Sequence, residues 1–474
     1  MYNECRPGPI GRRICQRRGQ NDRWSELLEM GIKVNVVKLG CPKNDLDAEA
    51  IQSQLQSSGF ELTEEKEQAE IFIINTCGFI EQAKKESIKA ILELSRFKNG
   101  SNGKKIVVTG CLAQRYNSEL WKSMPEIDGI LGLNEIDNIS KLCSEVITGN
   151  RVSFISPLPR EYEEKVERRA PQALPYAYLR IADGCDNCCA YCSIPQIRGR
   201  YRSRKIENIL VEAKSLAENG VKEINLVAQD TTLYGQDIYG EQRLPELLSL
   251  LSKIEGIEWI RLLYTHPAHY TDKLIEKITG NQKVCKYLDL PLQHISDKLL
   301  YLMGRKIDRK GIESLIQTLR NRIPGLVLRT TLIVGFPGES EVEFEELLNF
   351  VEKQRFDRLG AFTYSKEEGT EAFNLEEHLS FKEKEKRLDK LMSLQQRIAF
   401  EKNKERVGEK VKVLIESKAN DFSGKEKYYI GRSQKEAPEI DGVILVKSKN
   451  LKIGEFLEVK ITRWKDYDLI GEVL

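Results

Sequence analysis

The sequence predicts an α/β protein of three parts: an N-terminal parallel α/β domain, a central partial (β/α)6 barrel and a small antiparallel β-barrel at the C-terminus. In residues 33–150 and again in 176–406, apolar runs of strand length alternate with runs of helix length, which is typical of a parallel sheet with helices on its faces. Beyond residue 407 the runs become short and alternating, as in small barrels. The 474 residues are enough for roughly three domains.

The overall composition is that of an ordinary globular protein. Hydrophobic residues make up 40% of the chain, charged residues make up 31%, and the net charge is +2, which provides no global field for gripping nucleic acid. No apolar run has the length that a bilayer span requires, so we expect no membrane partner. Eleven cysteines at metal-like spacings favour a reducing compartment, the cytoplasm, over a disulfide framework.

Five segments follow from these patterns. Residues 1–32 form a basic, arginine-rich extension without periodicity, which we expect to be disordered; an organelle transit peptide or a true start at Met30 also fits it. The first domain covers residues 33–150, and a linker with four prolines covers 151–175. The central domain with its connecting helix covers 176–406, and the terminal barrel covers 407–474.

In the first domain, three predicted strands each end near a cysteine. The strands cover 33–39, 71–75 and 105–109, a helix follows each of them, and Asn44 is the expected N-cap of the first helix. Because ligands of parallel sheets bind beyond the carboxyl ends of the strands, the fold would bring the three thiols together, although 36 and 34 residues separate them. We therefore predict a cluster site with one open iron at Cys41, Cys77 and Cys111.

A single cysteine in such a place is better interpreted as a small buried hydrophobic residue. That interpretation holds for the cysteines outside both predicted sites and strand phases, which are Cys5, Cys15, Cys143 and Cys285.

In the central domain, the strand over 176–181 leads into a loop with the spacing C-x3-C-x2-C, made by Cys185, Cys189 and Cys192. A structural zinc site requires four ligands, and no histidine lies nearby to complete one. Iron-sulfur clusters are held by cysteines at such short spacings, usually four of them, so a set of three leaves one iron open. The plainer alternatives are a buried cysteine-rich turn and a zinc knuckle.

Further strands are predicted over 222–228, 258–264, 286–290 and 326–334, and three of the strand ends carry polar or glycine-rich segments. The first segment covers 229–232, where Asp230 alone also fits a helix cap. The second covers 291–294, whose His294 is interpreted as a hydrogen-bonded core histidine without a role. The third, 331–339, has glycines that let a ligand approach the backbone.

The C-terminal part begins with a Lys/Glu-rich stretch over 380–406, which we expect to be a solvated helix that leaves the barrel. Five short strands follow, over 410–416, 428–431, 443–447, 456–463 and 469–474. Residues 407–474 contain 13 Lys and Arg against 12 Asp and Glu, so this part lacks the positive charge of an RNA binder.

The central loop, with Tyr191 in its aromatic position, resembles the C-x3-C-x-aromatic-C loop of the radical S-adenosylmethionine enzymes. The resemblance implies a radical-SAM barrel in which S-adenosylmethionine chelates the open iron and one electron cleaves it to a 5'-deoxyadenosyl radical. Cys188 departs from the pattern, because a polar or basic residue is usual there. The cofactor-binding residues implied are Tyr191, Gln229, Arg329, Ile333 and Gly335.

Together, the two cysteine sets and the terminal barrel, which resembles a TRAM domain, resemble the methylthiotransferases over residues 33–474. This family implies two [4Fe-4S] clusters and S-adenosylmethionine as cofactors, with the auxiliary cluster in the first domain carrying or activating sulfur. One S-adenosylmethionine methylates that sulfur, a second supplies the radical that removes hydrogen from an unactivated carbon, and S-CH3 is transferred.

Four short motifs indicate the branch of the family; they cover 39–44, 77–80, 228–235 and 437–442. They resemble the branch that modifies the β-carbon of one aspartate in small-subunit ribosomal protein twelve, free or in the ribosome. An electron donor such as flavodoxin or ferredoxin is implied as a second partner. The tRNA adenosine methylthiotransferases, which tend to have Gln-Met-Asn after the first cysteine, are the near alternative, and a non-catalytic metal-binding scaffold is the distant one.

Overall fold

The computed structural model describes residues 31–98, 103–163, 174–419 and 427–474. The predicted extension lies outside these residues except for its last two positions. The first domain contains a six-stranded sheet in the order β2-β1-β3-β4-β5-β6, in which every pair of neighbours is parallel. The strands are β1 Lys33–Lys38, β2 Glu61–Leu62, β3 Ile71–Thr76, β4 Lys105–Gly110, β5 Gly129–Leu131 and β6 Val152–Phe154.

Helices cover both faces of this sheet because its central strands are apolar on both sides. All six residues of β3 are buried, and its four apolar side chains divide between two hydrophobic clusters, one on each face. The helices are α1 Pro42–Ser57, α2 Glu81–Ser95, α3 Cys111–Arg115, α4 Asn117–Ser123 and α5 Ile139–Ile147. The sheet extends into the predicted linker through β6, and the predicted domain boundaries stay a prediction.

The central domain is a second parallel sheet of six strands, in the order β14-β13-β12-β11-β10-β7. Because successive strands lie side by side and the sheet does not close, this is the predicted partial barrel. Its strands are β7 Tyr176–Arg180, β10 Glu223–Val227, β11 Trp259–Leu262, β12 Val284–Asp289, β13 Val327–Val334 and β14 Arg358–Thr363. A short antiparallel ribbon, β8 Ala182–Asp183 with β9 Arg202–Ser203, follows β7.

The helices of the central domain pack on the outside of this sheet around one large apolar cluster. They are α6 Ile194–Arg198, α7 Ile206–Glu218, α8 Gln236–Tyr239, α9 Leu244–Leu251, α10 Asp272–Gly280, α11 Asp297–Leu302, α12 Arg309–Arg322, α13 Glu341–Gln354 and α14 Phe381–Glu405. The expectation that the last helix leaves the barrel is wrong. Leu391 and Ile398 of α14 are fully buried in the barrel cluster, because apolar residues recur at helical spacing within its charged sequence.

The C-terminal part is a closed five-stranded barrel in the order β15-β16-β17-β19-β18, so the predicted barrel is confirmed. Its pairs are antiparallel except that β17 and β19 run parallel. The strands are β15 Lys410–Lys418, β16 Tyr428–Arg432, β17 Ile444–Lys447, β18 Phe456–Lys465 and β19 Asp468–Val473.

A buried ion cluster fixes this barrel to the central sheet. The Arg432 guanidinium donates to Glu223 Oε2 of β10 at 2.8 Å and to Glu416 Oε1 of β15 at 2.8 Å. Arg261 of β11 donates to Glu223 Oε1 at 2.8 Å. All four side chains are buried, so each charge depends on its partners across the domain boundary. No helix in the described residues is long and apolar enough to cross a membrane.

Candidate functional site

The three strand-end cysteines meet at the carboxyl edge of the first sheet. Cys77 and Cys111 directly follow β3 and β4, which are neighbours, and Cys41 follows β1, the neighbour of β3 on its other side. The backbone before Cys41 passes close to Cys77, since a Cβ at Gly40 would lie 2.9 Å from the Cys77 Cβ atom. Gly40 has φ +102°, which suits glycine alone among common residues. The fold therefore places these cysteines at one edge of the sheet, and their role as cluster ligands stays a prediction.

Asn44 connects the ends of the three strands. Its Nδ2 donates to the carbonyl of Leu39 at 2.8 Å and to the carbonyl of Thr76 at 3.1 Å. Its Oδ1 accepts a hydrogen bond from Cys111 Sγ at 3.5 Å. The prediction that Asn44 caps the helix is wrong, because α1 begins at Pro42 and Asn44 lies inside its first turn. The Asn44 side chain therefore links the ends of three strands instead of capping the helix.

The chemistry of this donor set suits a cationic metal centre. Burial raises the pKa of Cys77, and burial raises the pKa of Cys111 to about 12, although the Arg198 guanidinium opposes the second shift. The nearby Cys41 adds to both shifts, because like charges disfavour ionisation. Burial and the neighbouring sulfurs disfavour ionisation of the Cys77 and Cys111 thiols, and the positive charge of a bound iron-sulfur cluster would offset that effect.

The central cysteine loop lies between the two strands of the β8–β9 ribbon, which holds its ends. The Cys185 N–H donates to the carbonyl of Gly199 at 3.1 Å, and the Cys192 N–H donates to the carbonyl of Cys189 at 3.0 Å. In the middle of the loop, the Ala190 N–H donates to the carbonyl of Met303 at 2.9 Å. The loop is thus fixed by backbone bonds to the end of α6 and to the end of α11.

The thiols of this loop also form one electrostatic group. Burial raises the pKa of Cys185 to about 12 and raises that of Cys192, and Cys189 adds to both shifts. Arg305 Nη1 donates to Cys189 Sγ at 3.6 Å. This buried guanidinium can therefore stabilise negative charge on the Cys189 sulfur. Cys188 is exposed, and its thiol donates to the carbonyl of Asp186 at 3.8 Å.

Two arginines connect the segments that follow the cysteine sites of the two domains. Arg198 of α6, six residues beyond Cys192, donates to Asn44 Oδ1 at 2.9 Å and to Asp47 Oδ2 at 2.7 Å, both in α1. Arg115 of α3, four residues beyond Cys111, donates to Ser193 Oγ at 3.3 Å. Helices α1 and α3, which follow cysteines of the first domain, are therefore both tied to the segment that follows the central loop.

The predicted S-adenosylmethionine contacts surround the mouth of the central barrel. Gln229 follows β10; its Nε2 donates to Asp183 Oδ1 at 2.9 Å, while its buried Oε1 has no hydrogen-bond partner in the described part of the chain. An unpaired buried oxygen fits a site that a polar ligand completes. Ile333 and Gly335 lie at the carboxyl end of β13, and Ile333 and Tyr191 pack against the same small apolar cluster.

Arg329 lies apart from the other predicted contacts. It precedes Ile333 by four residues on β13, about 13 Å along the strand, and pairs with Asp289 at 3.5 Å and with Asp441 at 3.9 Å. Its role as a cofactor contact stays a prediction. Asp441 belongs to the motif 437–442 and also accepts the hydroxyl hydrogen of Tyr287 at 2.8 Å. The C-terminal barrel thus covers the inner face of the open sheet at this point.

Sequence reasoning missed a polar group beside the central loop. His269 Nδ1 lies 2.7 Å from Asp230 Oδ2, and the His266 ring stacks on that of His269 with centroids 4.6 Å apart. Asn187 of the cysteine loop donates to the same Asp230 oxygen at 2.8 Å. The available signal was the pairing of two of the chain's four histidines directly after a predicted strand.

A second contact that sequence reasoning missed joins the two domains near Cys41. The Lys43 ammonium lies 3.3 Å from the centroid of the Tyr264 ring, which follows β11. Burial lowers the pKa of Lys43, and Cys41 opposes that shift. Lys43 belongs to the quoted motif 39–44, but nothing local indicates the aromatic ring, which is 221 residues away in sequence.

Three family models match the chain, one in each part. Residues 33–132 match the model described as Uncharacterized protein family UPF0004, residues 179–351 match the Radical SAM superfamily, and residues 407–474 match the TRAM domain. The matches follow the two cysteine sites and the terminal barrel.

Several curated relatives resemble nearly the whole chain. Proteins named ribosomal protein uS12 methylthiotransferase RimO from Acetivibrio thermocellus and Clostridium kluyveri are 48% and 49% identical, over 93% of this chain and 98% of each relative. The protein of the same name from Clostridioides difficile is 46% identical, over 94% of this chain and 99% of the relative.

Solved structures support the fold at much lower identity. The radical S-adenosylmethionine methyltransferase TsrM from Kitasatospora setae has a TM-score of 0.50 at 14% identity, covering 69% of this chain and 72% of its own. The cobalamin-dependent enzyme OxsB has a TM-score of 0.50 at 14% identity, covering 78% of this chain and 56% of its own. With relatives nearly half identical along almost their full length, the chain belongs to the RimO branch of the radical S-adenosylmethionine methylthiotransferases.

Proposed function

We propose that the chain replaces a hydrogen on the β-carbon of one aspartate of ribosomal protein uS12 with a methylthio group, using S-adenosylmethionine as methyl donor and radical source. The observation that carries the proposal is the pair of three-cysteine sites tied together by Arg198 and Arg115. A reaction that removes hydrogen at one centre and delivers sulfur from another requires both centres within reach of one substrate carbon. The names of the relatives supply the substrate protein.

We further propose that each cysteine set holds a [4Fe-4S] cluster. Three thiolates leave one iron of each cluster without a protein ligand. When bound, the central cluster would supply the electron that cleaves S-adenosylmethionine to a radical, and the first-domain cluster would carry or activate the sulfur. The proposed ligands are Cys41, Cys77 and Cys111 in the first domain and Cys185, Cys189 and Cys192 in the central loop.

The side chains around each site support these roles. Arg305 stabilises the Cys189 thiolate, and the Gln229 oxygen is free to accept a hydrogen bond from a donor on the S-adenosylmethionine molecule. Tyr191, Ile333 and Gly335 provide an apolar and a backbone surface beside it. Cys111 and Cys185 are buried, and the other four proposed ligands are half-buried, which limits the access of water to radicals formed there.

The partners follow from the same proposal. uS12 is the protein substrate, free or in the ribosome, and an acceptor of single electrons requires a donor such as flavodoxin or ferredoxin. The near-neutral C-terminal barrel suits a basic protein partner better than tRNA. Open iron sites and free cysteines suit the reducing cytoplasm.

The iron content of the protein tests whether each cysteine set holds a cluster. Protein reconstituted without oxygen should hold roughly eight iron atoms per chain, and a variant with Cys185, Cys189 and Cys192 all replaced by Ala should hold half as many. Stoichiometric zinc in protein purified without oxygen would contradict the proposal.

Single substitutions then separate the two sites. Cys77→Ala should still produce 5'-deoxyadenosine but transfer no methylthio group to a uS12 peptide, and Cys189→Ala should do neither. Chromatography measures 5'-deoxyadenosine, and mass spectrometry measures the replacement of one hydrogen by CH3S. Normal transfer by Cys77→Ala would remove the first-domain site from the mechanism, and methylthio groups found on tRNA instead of uS12 would identify the other branch.

A further inference from the structure

We propose that Lys43 binds the side-chain carboxylate of the target aspartate and so holds its β-carbon between the two cysteine sites. This inference rests on the proposed function, because it assumes an aspartate substrate. Lys43 belongs to the first domain, and its ammonium lies at the mouth of the central barrel.

The Lys43 side chain is buried, with 7% of its surface exposed, and its ammonium lies 3.3 Å from the centre of the Tyr264 ring. In the described part of the chain, no carboxylate lies within 4.0 Å of that ammonium. The nearby Asp289 is paired with Arg329, and Asp47 is paired with Arg180 and Arg198. An aromatic face compensates an ammonium only in part, so a substrate carboxylate would stabilise this ammonium further.

The backbone conformation of Tyr264 indicates that its contact with Lys43 belongs to a ligand site. Tyr264 has φ +58°, the left-handed region that aromatic residues rarely adopt. Two bonds hold it there: its N–H donates to Asp289 Oδ2 at 2.9 Å, and its carbonyl accepts from the Thr231 N–H at 3.0 Å. Backbone strain of this kind is concentrated at ligand sites.

The place of Lys43 matches the geometry of the reaction. Lys43 lies in the first turn of α1, two residues beyond Cys41, and Tyr264 follows β11 at the carboxyl edge of the central sheet. The Lys43 carbonyl accepts from Arg180 Nη2 at 2.7 Å, which anchors this turn to the central domain. The carboxylate of aspartate is bonded directly to the β-carbon, so a cation at this seam positions the carbon that reacts.

The test compares two peptides with the anaerobically reconstituted full-length enzyme. One peptide is the uS12 segment with its target aspartate, and the other has asparagine in its place. For Lys43→Met we expect KM for the aspartate peptide to rise roughly 10- to 100-fold, the range of one charge-assisted hydrogen bond. Iron content and 5'-deoxyadenosine formation without peptide are measured for each variant, so that loss of a cluster is distinguished from loss of peptide binding. Lys43→Arg should recover part of the affinity.

The ratio of KM for the two peptides within one variant provides a readout that does not depend on the fraction of folded enzyme. The unsubstituted enzyme should prefer the aspartate peptide, and Lys43→Met should lose that preference. The control is Lys89→Met, since Lys89 is an exposed lysine of α2 that pairs only with Glu93 in the described residues, and it should change neither value.

Three results would overturn the inference. The first is an unchanged KM ratio in Lys43→Met. The second is a loss of iron in Lys43→Met with KM unchanged, which would assign Lys43 to the first-domain cluster. The third is failure of the unsubstituted enzyme to modify either the aspartate peptide or uS12 within ribosomes, which would remove the proposed function and this inference with it.

Discussion

Replacing Arg198 by Met should lower the free energy of unfolding of the metal-free protein by about 3 kcal/mol. The Arg198 side chain is 2% exposed and pairs with Asp47 at 2.7 Å and with Asp183 at 3.3 Å. Removing one partner of a buried ion pair costs about 3–5 kcal/mol, because the remaining charge stays desolvated. Here Asp47 keeps Arg180 at 2.6 Å and Asp183 keeps Arg202 at 3.7 Å, which places the expected loss at the lower end of that range.

Urea unfolding followed by circular dichroism measures this loss, and Arg200→Met is the matched control. Arg200 lies two residues away, but its side chain is 87% exposed and pairs only with Asp186, at 3.4 Å, in the described chain. An exposed pair of this kind contributes at most about 1 kcal/mol. The difference between the variants should persist in high salt, because buried pairs are screened weakly.

If Arg198→Met unfolds at the same urea concentration as Arg200→Met, the ion pairs of Arg198 do not anchor the two domains and the reasoning fails. A functional measurement on the reconstituted enzyme adds a second check. Methylthio transfer should fall more than S-adenosylmethionine cleavage, since cleavage needs one site and transfer needs the spacing of both. An equal loss of both reactions would mean that Arg198 serves only the central loop.

Three further predictions concern other parts of the molecule. Cys188→Ser should leave iron content and methylthio transfer unchanged, because that thiol is exposed and bonds only its own loop in the described structure. Burial lowers the pKa of His294 to about 3, so between pH 6.5 and pH 3 the unfolded chain binds a proton that the folded chain refuses. Stability should therefore fall by about 2 kcal/mol between pH 7.5 and pH 5, and His294→Gln should remove that part of the slope in urea titrations at both pH values. Arg432→Met leaves Glu416 and Glu223 buried with fewer cations, and should cost about 3 kcal/mol and release the C-terminal barrel to limited proteolysis.

Asp230 connects the central cysteine loop to the segment that follows β11. Asp230 accepts from Asn187 of the cysteine loop at 2.8 Å and lies 2.7 Å from His269 after the next strand. Burial and the nearby Arg305 lower the pKa of His266 to about 2, which keeps that ring neutral. A neutral, stacked imidazole therefore adds bulk without adding charge beside the central cysteine loop.

The helix that connects the barrels illustrates where composition misleads. Residues 380–406 are so rich in Lys and Glu that a solvated helix was the natural expectation. Four apolar residues at helical spacing were enough to bury one face, and Arg387 also turns inward to Glu339 at 2.6 Å. Average polarity over a long segment does not describe the face that packs.

By itself the sequence determined the α/β class, the order of the three parts and both cysteine sets, because each of these depends on local patterns. The central set lies within eight residues, and the strand-end set needs only the rule that parallel strands end at one edge. Only the tertiary structure decided that Asn44 ties three strand ends instead of capping a helix, that Arg198 joins the two sites and that Lys43 faces Tyr264. These contacts join residues 32, 154 and 221 positions apart, and their partners are chosen by the packing of whole domains, which no local spacing encodes.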